Sequence, residues 1–269
     1  MADKTKQEVR EFYDEIGWRK EDSGLYQNAR YEDMRPVSRE YIHNTRLRVN
    51  DHLLPTGDLL LDAGSGPVQY DEYLTYSQGY QKRLCADISI QALREARTRI
   101  GNHGLFVVCD VAKLPFKADA FDGIISMHTI HHLPTDEHKT AYSELYRVLK
   151  PSRKAVIVNG WSHSFFDSLA RFFNIVRRLL RGKPINVKHE EQVGTYVRKT
   201  SAKWLRRELG GLVKVDIFAW RFASTRTLRT FIHEKLGGRR ILNWLYRMES
   251  KYPKFFGEHG QYPIIVVKK

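Results

Sequence analysis

Three aspartates, two glycines and a cluster of histidines are the residues here whose types and spacing suggest chemistry. Leu61-Asp62-Ala63-Gly64-Ser65-Gly66 ends an apolar run on a turn with two glycines. Such a turn can take positive φ and bring backbone close to a ligand. Asp87, in Cys85-Ala86-Asp87-Ile88, and Asp110, in Cys109-Asp110-Val111, end two further apolar runs. A carboxylate offers two acceptor oxygens, which suits vicinal hydroxyls or an amino group. A fourth apolar run leads into Met127-His128-Thr129-Ile130-His131-His132-Leu133-Pro134. A histidine there can take a proton near neutral pH, so His128 and His131 are the candidate catalytic bases and His132 is expected to be structural. No metal site is expected, because positions 131 and 132 point different ways and the stretch has no nearby cysteine.

Elements must bring these residues together. Apolar runs at 59–62, 83–87, 105–110, 121–126 and 155–158 read as strands. Between them, 70–77, 90–100 and 136–149 read as helices. That alternation predicts a parallel sheet with helices on both faces. Right-handed crossovers put every strand C-terminus on one edge, where ligands bind. Two more strands are expected at 212–218 and 263–267, and helices at 162–181 and across 222–256. A dinucleotide fingerprint would need glycine at position 69, which is Gln69, so nicotinamide and flavin cofactors are disfavoured.

The motifs, taken in order, resemble those of class I S-adenosylmethionine (SAM) dependent methyltransferases. The nearest likeness is to the type 11 subgroup that includes the ubiquinone and menaquinone C-methyltransferases. Asp62 to Gly66 resembles the first motif. Phe121-Asp122 with Leu133-Pro134 resembles the fourth-strand motif, and Arg147-Val148-Leu149-Lys150-Pro151 the turn before the fifth strand. The likeness covers residues 50–160. It implies a doubly wound, Rossmann-like α/β fold, with a seven-stranded, mostly parallel sheet and an antiparallel last strand. It also implies SAM as cofactor and S-adenosylhomocysteine as product. Asp87 would take the ribose hydroxyls and Asp110 the adenine amino group. Asp62, Ala63, Gly64, Gly66, Ile88, Val111 and Met127 would complete the cofactor site. Tyr13 and Tyr31, from the aromatic N-terminal segment, are expected to close over it. Many relatives carry a third glycine where this chain has Val68, which tightens the turn.

The expected organisation is a helical lid at 1–50, a SAM-binding core at 51–161, and basic helical cap insertions at 162–210 and 221–261. Core strands at 211–220 and 262–269 complete it. The net charge of +14 is concentrated in the two insertions, which carry +7 and +6, whereas residues 1–161 carry −1. Topology puts both insertions at the strand C-terminal edge, as a cap over the acceptor. An excess of that size suggests an anionic partner. The expected reaction is O-methylation of an anionic or membrane-associated acceptor, such as a lipid-linked sugar, a phosphorylated glycan or an isoprenoid phenol. A soluble metabolite, RNA and a non-catalytic SAM-binding regulator are the alternatives. The apolar stripe of 162–181, flanked by arginines, fits either a cap wall or a helix lying on an anionic membrane. No run approaches the roughly 18 apolar residues of a membrane span. No signal peptide is read in the first residues. Cys85 and Cys109 are expected to be core thiols in a reducing, cytoplasmic setting, with peripheral contact at the inner membrane face.

Overall fold

The computed structural model describes residues 2–20, 26–181, 195–211 and 213–269. Seven strands build one sheet: β1 Gly57–Ala63, β2 Tyr80–Asp87, β3 Gly104–Val108, β4 Phe121–Met127, β5 Leu149–Val158, β6 Lys214–Arg221 and β7 Tyr262–Lys268. The helices before the third strand are α1 Ala2–Phe12, α2 Pro36–Leu47, α3 Asp71–Leu74 and α4 Ile90–Ile100. Those that follow are α5 His138–Val148, α6 Phe165–Leu180, α7 Ala202–Leu209, α8 Thr225–Phe231, α9 Gly238–Lys251 and α10 Pro253–His259. The strand order is β3-β2-β1-β4-β5-β7-β6. Strands β3 to β5 pair in parallel, and β7 runs antiparallel to both neighbours. This is the doubly wound α/β class that the strand pattern predicts.

Apolar alternation builds both faces of the sheet. On one face Leu61, Ile124, Ile157 and Ile265 pack with Ala141, Leu145, Leu205 and Leu209. On the other, Leu60, Ile125, Val156 and Val266 pack with Tyr73, Tyr76, Leu93 and Ala96. Each such aliphatic side chain contributes about 1.5–3 kcal/mol on burial. Serines start several helices. Ser89 Oγ accepts from Ala92 N at 3.0 Å at the start of α4, and Ser201 and Ser224 cap α7 and α8 in the same way.

Where element bounds differ from the sequence reading, local chemistry accounts for it. Strand β3 stops at Val108 because Asp110 Oδ1 accepts from Ala112 N at 2.8 Å and turns the chain. Strand β5 begins at Leu149, six residues early, because Leu149 pairs with Phe121 ahead of a register break; within the break Ser152 has φ 60° and its N–H donates to the Lys269 carbonyl at 2.9 Å. Leu212, where the sixth strand was expected to start, lies outside the described residues. The helical stretch over 222–256 is divided by Gly237 at φ 72° and by Pro253.

Both insertions leave the sheet at its C-terminal edge; the first runs back through α7 along one face to the start of β6, and the second returns to the same edge, where buried polar groups fasten it. Trp161 Nε1 donates to the Gly257 carbonyl at 2.8 Å, and Gln261 Nε2 to the Trp161 carbonyl at 3.0 Å. Arg48 donates to Glu249 at 2.7 Å and to the Trp220 carbonyl at 3.0 Å. Tyr41 also donates to Glu249, at 2.6 Å.

Candidate active site

The site starts at the turn after β1. Gly64 and Gly66 have φ of 73° and 54°. A Cβ on Gly64 would lie 2.1 Å from the Thr129 side chain, and one on Gly66 would lie 3.0 Å from the Trp18 ring. Glycine is therefore required at both positions, by conformation and by space. Val68 also has positive φ, at 52°, although it is β-branched. That conformation costs about 1–2 kcal/mol, which complete burial of the valine side chain offsets.

Asp87 stands at the end of β2, 8% exposed and without a cation among the described residues. Its oxygens accept from Gly66 N at 2.8 Å and Ser89 N at 2.9 Å. Burial raises its pKa to about 6; the two backbone donors oppose this, and Asp62 and Asp14 add to it. Two of its four acceptor positions are free for a ligand's hydroxyls. Asp110 is held by Lys6 of α1 at 2.5 Å, and Lys6 also reaches Glu137 at 2.6 Å. Ile88 and Met127 are half-buried at the same edge, and Ala63 and Val111 are buried.

Asp62 departs from the sequence reading. It is 2% exposed, and its carboxylate is closed by Arg83, which also donates to the Tyr73 carbonyl at 2.6 Å. Its position inside β1 turns it into the core, where it neutralises a buried guanidinium instead of facing the turn.

The N-terminal segment lies across the glycine turn. Tyr13 stacks on Trp18 at 4.9 Å, and Trp18 covers Gly66. Tyr31 is half-exposed and gives its carbonyl to Thr225. Sequence reasoning missed Trp18, Lys6 and Asp14, which bonds Ser89. They sit in a segment with no motif, and only its aromatic richness pointed to it.

The histidines form the opposite wall. His132 Nδ1 donates to the Tyr196 carbonyl at 2.8 Å, which leaves Nε2 to accept from the Tyr13 hydroxyl at 2.8 Å. His131 is buried, with Nδ1 2.7 Å from Asn159 Oδ1. His128, at φ 57°, lies against the rings of Trp220 and Tyr262 at 5.0 and 5.5 Å. Enclosure first, then the Arg221 cation, lowers the pKa of His128 to about 3. Enclosure and Lys199 bring His132 to about 4, and His131 is also well below its ordinary value. All three are neutral at physiological pH, and His128 and His132 are weak proton acceptors. That weighs against the expected role of His128 as a base.

Cations surround this wall. Arg221, 3% exposed, pairs with Glu32, which also meets Arg46 at 3.3 Å. Arg46 lies 3.3 Å over the Tyr70 ring. Burial would raise Glu32, but Arg221 and Arg46 outweigh it and hold the carboxylate below its ordinary range. Lys199 stands beside Gly160 and 5.7 Å from the Tyr262 ring, with no carboxylate at salt-bridge distance among the described residues. The Nε atoms of Arg46 and Arg221 and Nε1 of Trp220 are buried without a hydrogen-bond partner. No group of three or more histidine, cysteine, aspartate or glutamate residues could hold a metal among the described residues.

Comparison with known proteins agrees with this geometry. A methyltransferase-domain model matches residues 61–157, from β1 to β5. A tRNA (carboxymethyluridine(34)-5-O)-methyltransferase of Xenopus tropicalis is 33% identical over 138 residues, 49% of this chain and 20% of that protein. The ubiquinone/menaquinone biosynthesis C-methyltransferase of Desulfotalea psychrophila is 32% identical over 106 residues, 39% of this chain and 42% of that one. The chain thus spans about a fifth of the tRNA relative's length. Among solved structures, geranyl diphosphate C-methyltransferase from Streptomyces coelicolor superposes with a TM-score of 0.57 at 15% identity, covering 97% of this chain and 96% of the other. That likeness is one of fold.

Proposed function

Residues 61–157 belong to the class I SAM-dependent methyltransferase family, and from that premise we propose that this protein methylates an oxygen that is already anionic on its acceptor. The cofactor, when bound, supplies a sulfonium-activated methyl group. Asp87 would take its two ribose hydroxyls, Asp110 its adenine amino group, and the Gly64–Gly66 backbone would allow its close approach. The fit rests on Asp87, a nearly buried carboxylate with free acceptor positions and no cation among the described residues.

One observation carries the acceptor reading: Lys199, with no carboxylate at salt-bridge distance among the described residues, stands beside histidines held neutral. A cation of that kind recognises an acid. An oxyanion keeps its lone pair and needs no general base, so alignment and exclusion of water are the protein's main tasks. His128 and His131 then shape the pocket. Carboxylates fit first, and phosphorylated or lipid-linked acids share the chemistry.

A second reading keeps this chemistry and places the acid on RNA. It is favoured by the relatives named for O-methylation of carboxymethyluridine in tRNA and by the basic cap. Incubation with methyl-labelled SAM and, separately, total RNA, a lipid extract and a pool of small organic acids tests both. Label that mild alkali releases as methanol is the expected product. Label retained as an N- or C-methyl group would overturn the proposal, and the fraction that carries it decides between the carriers.

A further inference from the structure

Helix α6 leaves the protein with an apolar face that nothing covers among the described residues. Its inner side meets the cap. Ala170 is fully buried, Phe173 meets Phe231 at 5.5 Å between ring centres, Asn174 donates to Thr230 at 2.9 Å, and Arg226 pairs with Asp167 at 2.8 Å. The outer side is different. Phe172 is 60% exposed, Ile175 37%, Leu179 55% and Leu180 84%. Positions 172, 175, 176 and 179 repeat at helical spacing, so they form one stripe along the axis. Arg171 and Arg178 flank that stripe, whereas Arg177 and Arg181, in the last turn, fall on the side of Ala170. All four are exposed, and none has a carboxylate partner among the described residues.

A surface of this kind is unfavourable in water. We propose that α6 lies in the interface of an anionic lipid bilayer, with Phe172, Ile175, Leu179 and Leu180 among the acyl chains and the flanking Arg171 and Arg178 on lipid phosphates. Its 16 residues do not make a span, and no helix of the described residues is long and apolar enough to cross a membrane. The helix is instead of a length and pattern to lie flat. Charge complementarity selects this occupant. A second copy packed on the same stripe would bring unpaired arginines toward unpaired arginines. RNA would pair with the arginines and leave the large apolar side chains in water. Helix α6 follows β5 at the sheet's C-terminal edge, so a docked helix sets the acceptor pocket beside the membrane surface.

The test is flotation of the full chain with vesicles of phosphatidylcholine alone or with about 30% phosphatidylglycerol. Binding is expected with the anionic vesicles only, and it should weaken at high salt. Phe172→Glu with Leu180→Glu, and separately Arg171→Gln with Arg178→Gln, should each weaken it by about tenfold or more. Both variants should keep the melting temperature and SAM affinity of the parent, because these positions are exposed. Three outcomes overturn the proposal. One is the absence of a preference for anionic vesicles. Another is binding lost in the arginine variant but kept in the Phe172→Glu, Leu180→Glu variant, which would mark a purely electrostatic patch of the kind RNA uses. The third is a dimer in light scattering that Phe172→Glu disperses, which would mark a second copy as the occupant.

Discussion

Lys6 of α1 donates to Asp110 Oδ2 at 2.5 Å, across 104 residues of sequence. This contact ties the first helix to the acid that the adenine amino group would use. Among the residues of α1 whose burial is described, Val9 alone has a buried apolar side chain, so Lys6 is a main fastening of the helix. Lys6→Met should loosen α1 and speed both association and dissociation of SAM, each by about three- to tenfold, with a smaller change in Kd. Stopped-flow fluorescence of Trp18, which lies over the glycine turn, reads this directly. A change in dissociation alone would make Lys6 part of the bound site.

Asp87 gives a pH signature. Its pKa in the free protein is raised to about 6 by burial, and hydroxyl donors bind its charged form. Protons therefore compete with SAM below pH 6. Affinity should be flat above that value and fall about tenfold per pH unit well below it. Asp87→Asn should flatten the profile and weaken binding by about 10- to 100-fold. Calorimetry across pH 5–8 checks both. An unchanged profile in the variant would assign the dependence to another group.

The histidine wall should not titrate during turnover. With His128 near 3 and His132 near 4, turnover on an acidic acceptor at saturating SAM should be level from about pH 5.5 to 8.5. His128→Asn, which tolerates the left-handed backbone, should lower kcat by less than about tenfold. Lys199→Met should raise the acceptor KM by about tenfold or more and spare kcat. A limb near pH 6.5 together with a 100-fold loss in His128→Asn, a size typical of a lost base, would restore the histidine to that role.

Asp62 separates a core role from a cofactor role. Asp62→Ala strands the buried Arg83 guanidinium, which costs about 3–5 kcal/mol. The melting temperature should fall by about 10 °C, and the remaining folded protein should keep its SAM affinity within about threefold. Normal melting with a large loss of affinity would return Asp62 to the cofactor site.

The sheet was legible because strands buried on both faces leave continuous apolar runs, such as Leu59-Leu60-Leu61 and Ile124-Ile125. Asp87 and Asp110 were legible because they end such runs. Asp62 was misplaced because a strand-end acid reads the same whether it turns toward solvent or core, and its partner Arg83 lies 21 residues on. Arg221, Glu32, Arg46 and Lys199 were not legible at all. They come from three distant segments, 32–46, 199 and 221, and tertiary packing alone brings them together. The apolar period of α6 was plain in sequence. Whether that face was covered could be read only once α8 was seen to take the other side.

Strand β7 is the last of the seven in the chain, yet it lies between β5 and β6. During synthesis the β5 edge therefore waits, unpaired, while more than a hundred residues of insertion and β6 emerge. Strand β6 has no other neighbour in the sheet to hold it. The insertions on either side of β6 cannot settle until the chain has returned to fill that gap. The β5 edge, with Ala155 to Val158 all apolar, is a template for wrong pairing in the interval. Ribosome-bound chains stopped before Tyr262 should accordingly leave residues 155–158 open to proteolysis and aggregation, and chains carrying β7 should not. Equal protection in both would show that another segment guards the edge first.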